Sequence, residues 1–489
     1  MDLSPAAVHD GRVPAAVTPP PTIDRSHWRE RLGELASKHL VPGAALGILR
    51  LRPDRGDEQV EASYGVLSKA TGVEVTTDTL FQIGSITKIW TTTVAMQLVG
   101  EGVLDLDAPV VDVLPEMRLS DAHTRQGLTL RHLLTHTSGI DGDAFIDTGR
   151  GDDCLEIYIS RLDGVAQNFP LGATWSYCNT GFSILGRMIE KVTGQVWDAV
   201  LKERLVAPLG LGHTVTLPEE ALLFRAAVGH LARTGQEPAP ATVWCMERSG
   251  GPAGAITAAS VGDLLAFARM HLTGGRAADG TPVLDERLVG LMQQHHADVP
   301  ARHHIDSWGL GWMRFRWDGH ELFGHDGNTL GQSAFLRVLP EQGLVVALLT
   351  NGGHTQDLYA ELCGEVFGEV AGVAMPAPFT PPDPAPTVDV AGRVGRYQIA
   401  GTLAEVFERE GRAMLRLTDT SIFADVVPEV EREYQLHPVD RDLFAIREDG
   451  EETWQPVTFF TLADGTPFLH LFSRSLPKDL APGSPGPSA

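Results

Sequence analysis

Phe81-Gln82-Ile83-Gly84-Ser85-Ile86-Thr87-Lys88-Ile89-Trp90 is the stretch around which the rest of the chain can be organised. A serine and a lysine stand three residues apart at the head of a largely apolar run that reaches Gly100. If a helix begins at Ser85, positions i and i+3 share a face and the amine can approach the hydroxyl. A serine hydroxyl is a poor nucleophile until a neighbouring base takes its proton. Lysine can be that base only where burial or nearby charge lowers its pKa, and Ile86, Ile89, Trp90 and Val94 predict such a dry setting. A helix N-terminus would also favour negative charge developing near Ser85. The chain has only six lysines among its 39 Lys+Arg, and arginine cannot act as a base, so a lysine at this spot carries weight. The spacing alone is a weak signal. Ser475-Leu476-Pro477-Lys478 repeats it in a Pro-bearing C-terminal tail, where it reads as bland.

Two further stretches gain meaning beside the first. Trp175-Ser176-Tyr177-Cys178-Asn179-Thr180-Gly181 precedes a helical pattern. A Tyr177 phenolate, or a hydroxyl held by a cationic lysine, can shuttle a proton to a leaving group. The Asn179 amide can orient a lysine and bind a carbonyl; alone, the pair would read as a loop Tyr and a helix cap. Phe323-Gly324-His325-Asp326-Gly327-Asn328 leads into a strand-like run, 333–338. A Gly-flanked strand admits a ligand close to its backbone, whose N–H groups can complete an oxyanion hole with that of Ser85.

Outward from these motifs, helical patterns cover 24–40, 85–100, 181–193 and 260–272, the last opened by Ser260 and stopped at Gly274-Gly275. Strand patterns cover 44–51, 59–66, 322–324, 333–338 and 344–349. Strands at both ends with helices between predict a layered α/β (α+β) domain over 24–374. Six prolines between Met375 and Thr387 predict an extended linker, 375–388. Beyond it, short strand-like runs at 403–408, 414–417, 433–437, 443–447 and 457–462, with a hairpin at Asp464-Gly465, predict a small antiparallel β-barrel over 389–476. Residues 1–23 read as a flexible arm and 477–489 as a flexible tail.

Composition narrows the function classes. Across 489 residues, 43% hydrophobic and 21% charged positions are those of a globular chain. A net charge of −24 disfavours nucleic acid and anionic membrane surfaces as partners. Four scattered cysteines without a CxxC pair argue against a zinc ribbon or disulfide scaffold. His295-His296 and His303-His304, with Asp298 and Asp306, read as a solvated loop rather than a metal site, and no metal or cofactor is expected. The first residues lack the basic and apolar regions of a secretory signal and no run is long enough to span a bilayer, so a cytoplasmic location is expected.

The order Ser-x-x-Lys, Tyr-x-Asn, His-x-Gly resembles the serine β-lactamase and penicillin-binding protein superfamily, in its class C-like branch. Leu130-Arg131-His132-Leu133-Leu134-Thr135-His136-Thr137-Ser138-Gly139, Pro208-Leu209-Gly210-Leu211 and Pro252-Ala253-Gly254 add to the likeness. The resemblance implies a helical subdomain beside an α/β subdomain with an antiparallel sheet, the active site lying between them. It implies Ser85 as the acylated nucleophile, Lys88 as its base and Tyr177 as the proton relay. Asn179 would contact Lys88 and the substrate amide, His325 would replace the usual third-motif lysine, and the backbone N–H groups of Ser85 and Asn328 would form the oxyanion hole. Histidine there weakens a fixed cationic anchor for a β-lactam carboxylate, because the neutral ring carries no charge.

The two-step acyl-enzyme route follows from these residues, whereas the acceptor (water, alcohol or amine) does not. An intracellular setting favours members such as D-aminopeptidase-like and esterase-like enzymes. It also favours the penicillin-binding-protein-type thioesterases that release and cyclise nonribosomal peptides and carry a C-terminal lipocalin-like barrel. The resemblance therefore implies peptidyl acyl transfer, with release and macrocyclisation of a carrier-bound thioester as the leading reading; a D-stereospecific peptidase, amidase or carboxylesterase, and then a β-lactamase or non-catalytic acyl sensor, are the alternatives. It further implies that the barrel covers the cleft and selects substrate through an arginine that the sequence does not single out.

Overall fold

The eight-residue strand Gly43–Arg50 is buried along its whole length and serves two cores at once. Successive side chains of a strand point to opposite faces. Accordingly Ala44, Leu46 and Ile48 enter one apolar cluster, and Ala45 and Leu49 the other. Gly47 faces the second, where the helix Val261–Leu272 comes so close that a Cβ would stand 2.7 Å from Val261 Cγ2. The computed structural model describes residues 22–52, 56–233, 235–300 and 305–479.

Gly43–Arg50 lies between Glu58–Gly65 and Leu344–Thr350 in an eight-stranded antiparallel sheet. Beyond Leu344–Thr350 the order continues through Ser333–Leu339, His320–Asn328, Met313–Trp317, Ser307–Trp308 and Ala297–Asp298. Strands from both ends of the predicted layered domain thus meet in the middle of one sheet. On one face sit the helices Arg25–Lys38 and Thr355–Val366. The first is capped by the Asp24 carboxylate, which accepts from Ser26 N and His27 N. Its buried residues Trp28, Leu32, Leu35 and Ala36 keep the spacing of a single helical stripe. The other face carries Val261–Leu272 and, beyond it, a mainly helical region built on Thr87–Gly100 and Asn179–Thr193.

The sequence places a helix start at Ser85, but the structure puts a 3₁₀ turn, Gly84–Ile86, ahead of the α-helix Thr87–Gly100. Three residues per turn bring positions i and i+3 into line, setting Lys88 over Ser85. The helix is buried on nearly every side. Its threonines are tolerated because Thr91, Thr92 and Thr93 donate to the carbonyls of Pro252, Lys88 and Ile89. The helix expected over 181–193 begins at Asn179, capped by Cys178, whose Sγ accepts from Gly181 N at 3.2 Å.

After a linker without regular structure, two antiparallel sheets enclose a separate apolar core. One contains Gly395–Ile399, Thr402–Arg409, Arg412–Asp419 and Glu431–Gln435. The other contains His437–Pro438, Leu443–Ile446, Gln455–Thr461, Pro467–Leu471 and Arg474–Pro477. Their edges are linked by one bridge, Tyr397 to Lys478, rather than by a continuous ladder among the described residues. Ser475-Leu476-Pro477-Lys478 is therefore no tail. It holds the last strand, with Ser475 and Leu476 buried. Most of the expected N-terminal arm, the chain beyond residue 479, and His303-His304 lie outside the described residues. His295 bonds Asp298, and His296 Nε2 meets the Leu291 carbonyl. Among the described residues no helix is long and apolar enough to cross a membrane.

Candidate active site

Three glycines let three backbones converge on Ser85. A Cβ on Gly327 would stand 1.9 Å from the Ile83 carbonyl oxygen and 3.0 Å from Ser85 N. One on Gly254 would stand 2.0 Å from the Gly84 oxygen, and one on Gly84 would lie 2.6 Å from Asn328 N. Only residues without side chains permit such approaches. They bring the strand His320–Asn328 and the turn Arg248–Ala253 against the Ser85 turn. The Asn328 side chain is turned to Ser333, whose hydroxyl donates to Asn328 Oδ1 at 2.8 Å, leaving its backbone at the serine.

Lys88 is wholly buried, with Nζ 3.0 Å from Ser85 Oγ, 2.6 Å from Asn179 Oδ1 and 2.7 Å from the Ala253 carbonyl oxygen. Burial pushes its amine well below the ordinary lysine value; Arg474 adds to this and Asp143 opposes it. A neutral amine has two donors and one lone pair. Asn179 Oδ1 and the Ala253 carbonyl can only accept, so they take both donors. The lone pair is left for the Ser85 hydroxyl, the hydrogen bond a general base needs. Asn179 cannot turn its amide around, because Asp143 Oδ1 accepts from its Nδ2 at 2.8 Å.

The Tyr177 ring lies 4.7 Å from Lys88 Nζ. Burial raises its phenol well above the ordinary value, with the Ser85 side chain and Arg474 pulling the other way. The group is thus a neutral proton donor rather than a phenolate. Its buried hydroxyl neighbours Ser85 without completing a hydrogen bond. His325 packs behind this tyrosine, with ring centroids 6.1 Å apart, and is not a cavity wall. Burial lowers its imidazole to about 3, so the ring is neutral near pH 7. Nδ1 lies 2.6 Å from the Asp326 carbonyl oxygen and must donate to it, leaving a lone pair on the buried, unpartnered Nε2.

Three polar residues at this centre escape the motif reading. His136 sits among the rings of Tyr177, Trp308, Phe182 and Trp175, and its Nδ1 accepts from Cys178 N at 3.0 Å. Its place in Thr135-His136-Thr137-Ser138-Gly139 was the available signal. Arg474 reaches in from the C-terminal sheets: Nε and Nη2 bond Asp143 at 2.7 and 2.8 Å, and the guanidinium lies 4.8 Å over the Tyr177 ring. Neither Asp143 nor Arg474 carries a local signal, since each is defined only by the other. Around them Tyr177 N donates to Ser473 O at 2.9 Å, and Ser475 N to Ser176 Oγ at 3.0 Å. Ser475 itself donates to the Trp175 carbonyl, which explains its burial without a catalytic task.

Ser85, Tyr177, Asn179 and Asn328 line a cavity of about 840 Å³ whose remaining wall includes Phe472 and Arg474. A serine under a buried lysine, in a cleft between an antiparallel sheet and a helical region, defines a class: the active-site-serine hydrolases and acyltransferases of the β-lactamase and penicillin-binding protein kind. The chain belongs to the beta-lactamase family, whose model matches residues 28–362. It is 47% identical over 382 residues to penicillin-binding protein 4 of Amycolatopsis lactamdurans, covering 78% of this chain and 99% of that one. It is 29% identical over 204 residues to esterase EstB of Burkholderia gladioli, covering 39% and 52%. The crystal structure of SurE superposes with a TM-score of 0.71 at 29% identity, covering 93% of this chain and 98% of that one. A structure of SurE with D-Leu gives the same TM-score at 28% identity, covering 93% and 99%.

Proposed function

We propose that this acyl-enzyme hydrolase/transferase releases a peptidyl chain from a carrier-bound thioester and closes it into a macrocycle. The observation that carries the reading is the hydrogen bond of Lys88 Nζ with Ser85 Oγ, its other two partners being obligate acceptors. Ser85 Oγ attacks the thioester carbonyl while its proton passes to Lys88. The oxyanion rests on the N–H groups of Ser85 and Asn328. The C–S bond breaks and the thiolate takes a proton from Tyr177, which recovers one from Lys88. In the second half the substrate's own amine attacks the ester and gives a proton to the same base, which returns it to Ser85 Oγ as the ester C–O bond breaks. Asn179 holds Lys88 and the substrate amide, and His325 backs Tyr177.

Aminolysis needs an acyl-enzyme shielded from bulk water. Phe472, Ser473 and Arg474 on the cavity wall support such shielding, and the cavity volume supports a folded peptide. Similarity to SurE across both parts of the chain, including the structure with D-Leu, supports a substrate bearing a D-residue. A neutral His325 offers no fixed charge for a β-lactam carboxylate and argues against a β-lactamase.

A fluorophosphonate is expected to add one label to the protein and none to the Ser85→Ala variant, read by intact mass; label persisting in the variant refutes the nucleophile. A linear peptidyl thioester is expected to yield macrocycle. Linear acid as the sole product would return the enzyme to the hydrolase reading, toward which the esterase likeness points.

A further inference from the structure

Glu247 stands immediately ahead of the turn Arg248–Ala253 and lines the same cavity as Ser85. Its Oε2 is buried and meets no hydrogen-bond partner among the described residues. The adjacent cation does not compensate it, because Arg248 is turned to the Arg150 carbonyl, Asp152 and Asp198. Asp147, Tyr158 and Cys245 are ionisable groups that feel this carboxyl, and none of them is a cation. Burial and Asp147 hold the acid up, at about 7, against the pull of a hydrogen bond from its own backbone. Gly250 makes room for it, since a Cβ there would stand 2.9 Å from Glu247 Oε1. The far end of the turn is tied to the reacting centre: the Ala253 carbonyl accepts from Lys88, and Gly254 abuts Ser85 N. Glu247 is therefore held on a rigid arm at a set place relative to the serine.

A desolvated carboxylate without a partner is costly, and the cost is relieved when a cation or several donors meet it. On the wall of a binding cavity that partner can come with the ligand. We infer that Glu247 is a subsite for an ammonium group of the peptidyl substrate, borne on a basic side chain or on its free N-terminus. The inference deepens the proposed function and rests on a peptide being the substrate.

The test is calorimetric binding of four short linear peptide acids to full-length Ser85→Ala protein at pH 7.5. The peptides carry an internal lysine or norleucine, each with a free or an acetylated N-terminus. Removing the ammonium that Glu247 meets is expected to weaken binding at least about tenfold. Loss on lysine-to-norleucine exchange assigns the side chain, and loss on acetylation assigns the terminus. Adding Glu247→Gln is expected to abolish the difference, with a melting temperature equal to or above that of the parent because a neutral amide replaces an uncompensated acid. Equal affinities, no binding of any peptide, or a preference that survives Glu247→Gln overturns the inference. Fluorophosphonate labelling of Ser85 tests the underlying chemistry separately, so either idea can fail alone.

Discussion

In the proposed mechanism Lys88 is the residue on which the chemistry turns, and its protonation sets the pH dependence. Burial lowers its amine below the ordinary value of 10.5. The protonated form cannot take the Ser85 proton, so acylation is lost as pH falls through the lowered pKa and levels off above it. Stopped-flow acylation by a nitrophenyl ester should therefore rise with pH and reach its plateau well short of 10.5. Lys88→Arg keeps a cation but has no base to offer, and should cost about 10²–10⁴-fold at every pH. A rate independent of pH, or an active arginine variant, would contradict the neutral-amine geometry. His325, held to about 3, should add no inflection near 6.5. The pairing of Ser85 with Lys88 was legible because residues three apart must meet in a helical or 3₁₀ turn. The neutrality of His325 was not, because it depends on Trp308 and Tyr177 closing over the ring.

Among the elements, the strand His320–Asn328 and the strand Gly43–Arg50 use glycine for different ends. Gly327 lets a strand backbone touch the Ser85 turn, so Gly327→Ala should push the oxyanion donors apart. It should slow acylation about 10²-fold or more. Gly47 is remote from the serine and only admits the helix Val261–Leu272. Gly47→Ala should destabilise the fold by about 1–3 kcal/mol through overpacking and leave acylation at its original rate. Urea denaturation and ester kinetics on both variants check the pair; matching losses of stability and activity in the two would defeat the distinction. Gly43–Arg50 is visible in the sequence as an apolar run, His320–Asn328 only in part, at 322–324. That Gly43–Arg50 pairs with Leu344–Thr350, more than 290 residues further along the chain, is a matter of sheet order, about which periodicity says nothing.

At the scale of the whole molecule, the C-terminal sheets complete the wall of the cavity that holds Ser85. The chain of contacts runs Arg474–Asp143–Asn179–Lys88, so the part of the protein after the linker is wired to the base. Arg474 lowers the Lys88 pKa and Asp143 raises it. Arg474→Ala should therefore move the acylation profile to higher pH, and Asp143→Ala to lower pH. Because the two residues act through one ion pair, the double variant should lose much less than the product of the single losses. Multiplicative losses, or profiles that do not move, would show the contact to be mere docking. Ala400 N to Asp141 Oδ2 at 2.7 Å and Thr453 N to Asp357 Oδ1 at 2.9 Å brace the same interface at other points.

Read alone, the sequence was enough to expect a layered α/β domain and a strand-rich C-terminal segment, while its family resemblance supplied the antiparallel sheet and the roles of the serine–lysine–tyrosine–asparagine set. Each leaves a trace within a few residues: a two-residue alternation, a helical stripe, a spacing of three. It could not nominate Arg474, find Asp143, place Glu247 on the cavity wall or turn Ser475 from tail into buried strand. Asp143 and Arg474 are 331 positions apart, and Lys88 and Asn179 are 91. Contacts at such separations arise when whole faces pack, and the free energy that selects them belongs to the assembled cores rather than to any local run of residues. Tertiary structure alone decided which charges are buried, which are paired, and hence which amine has its pKa pushed down.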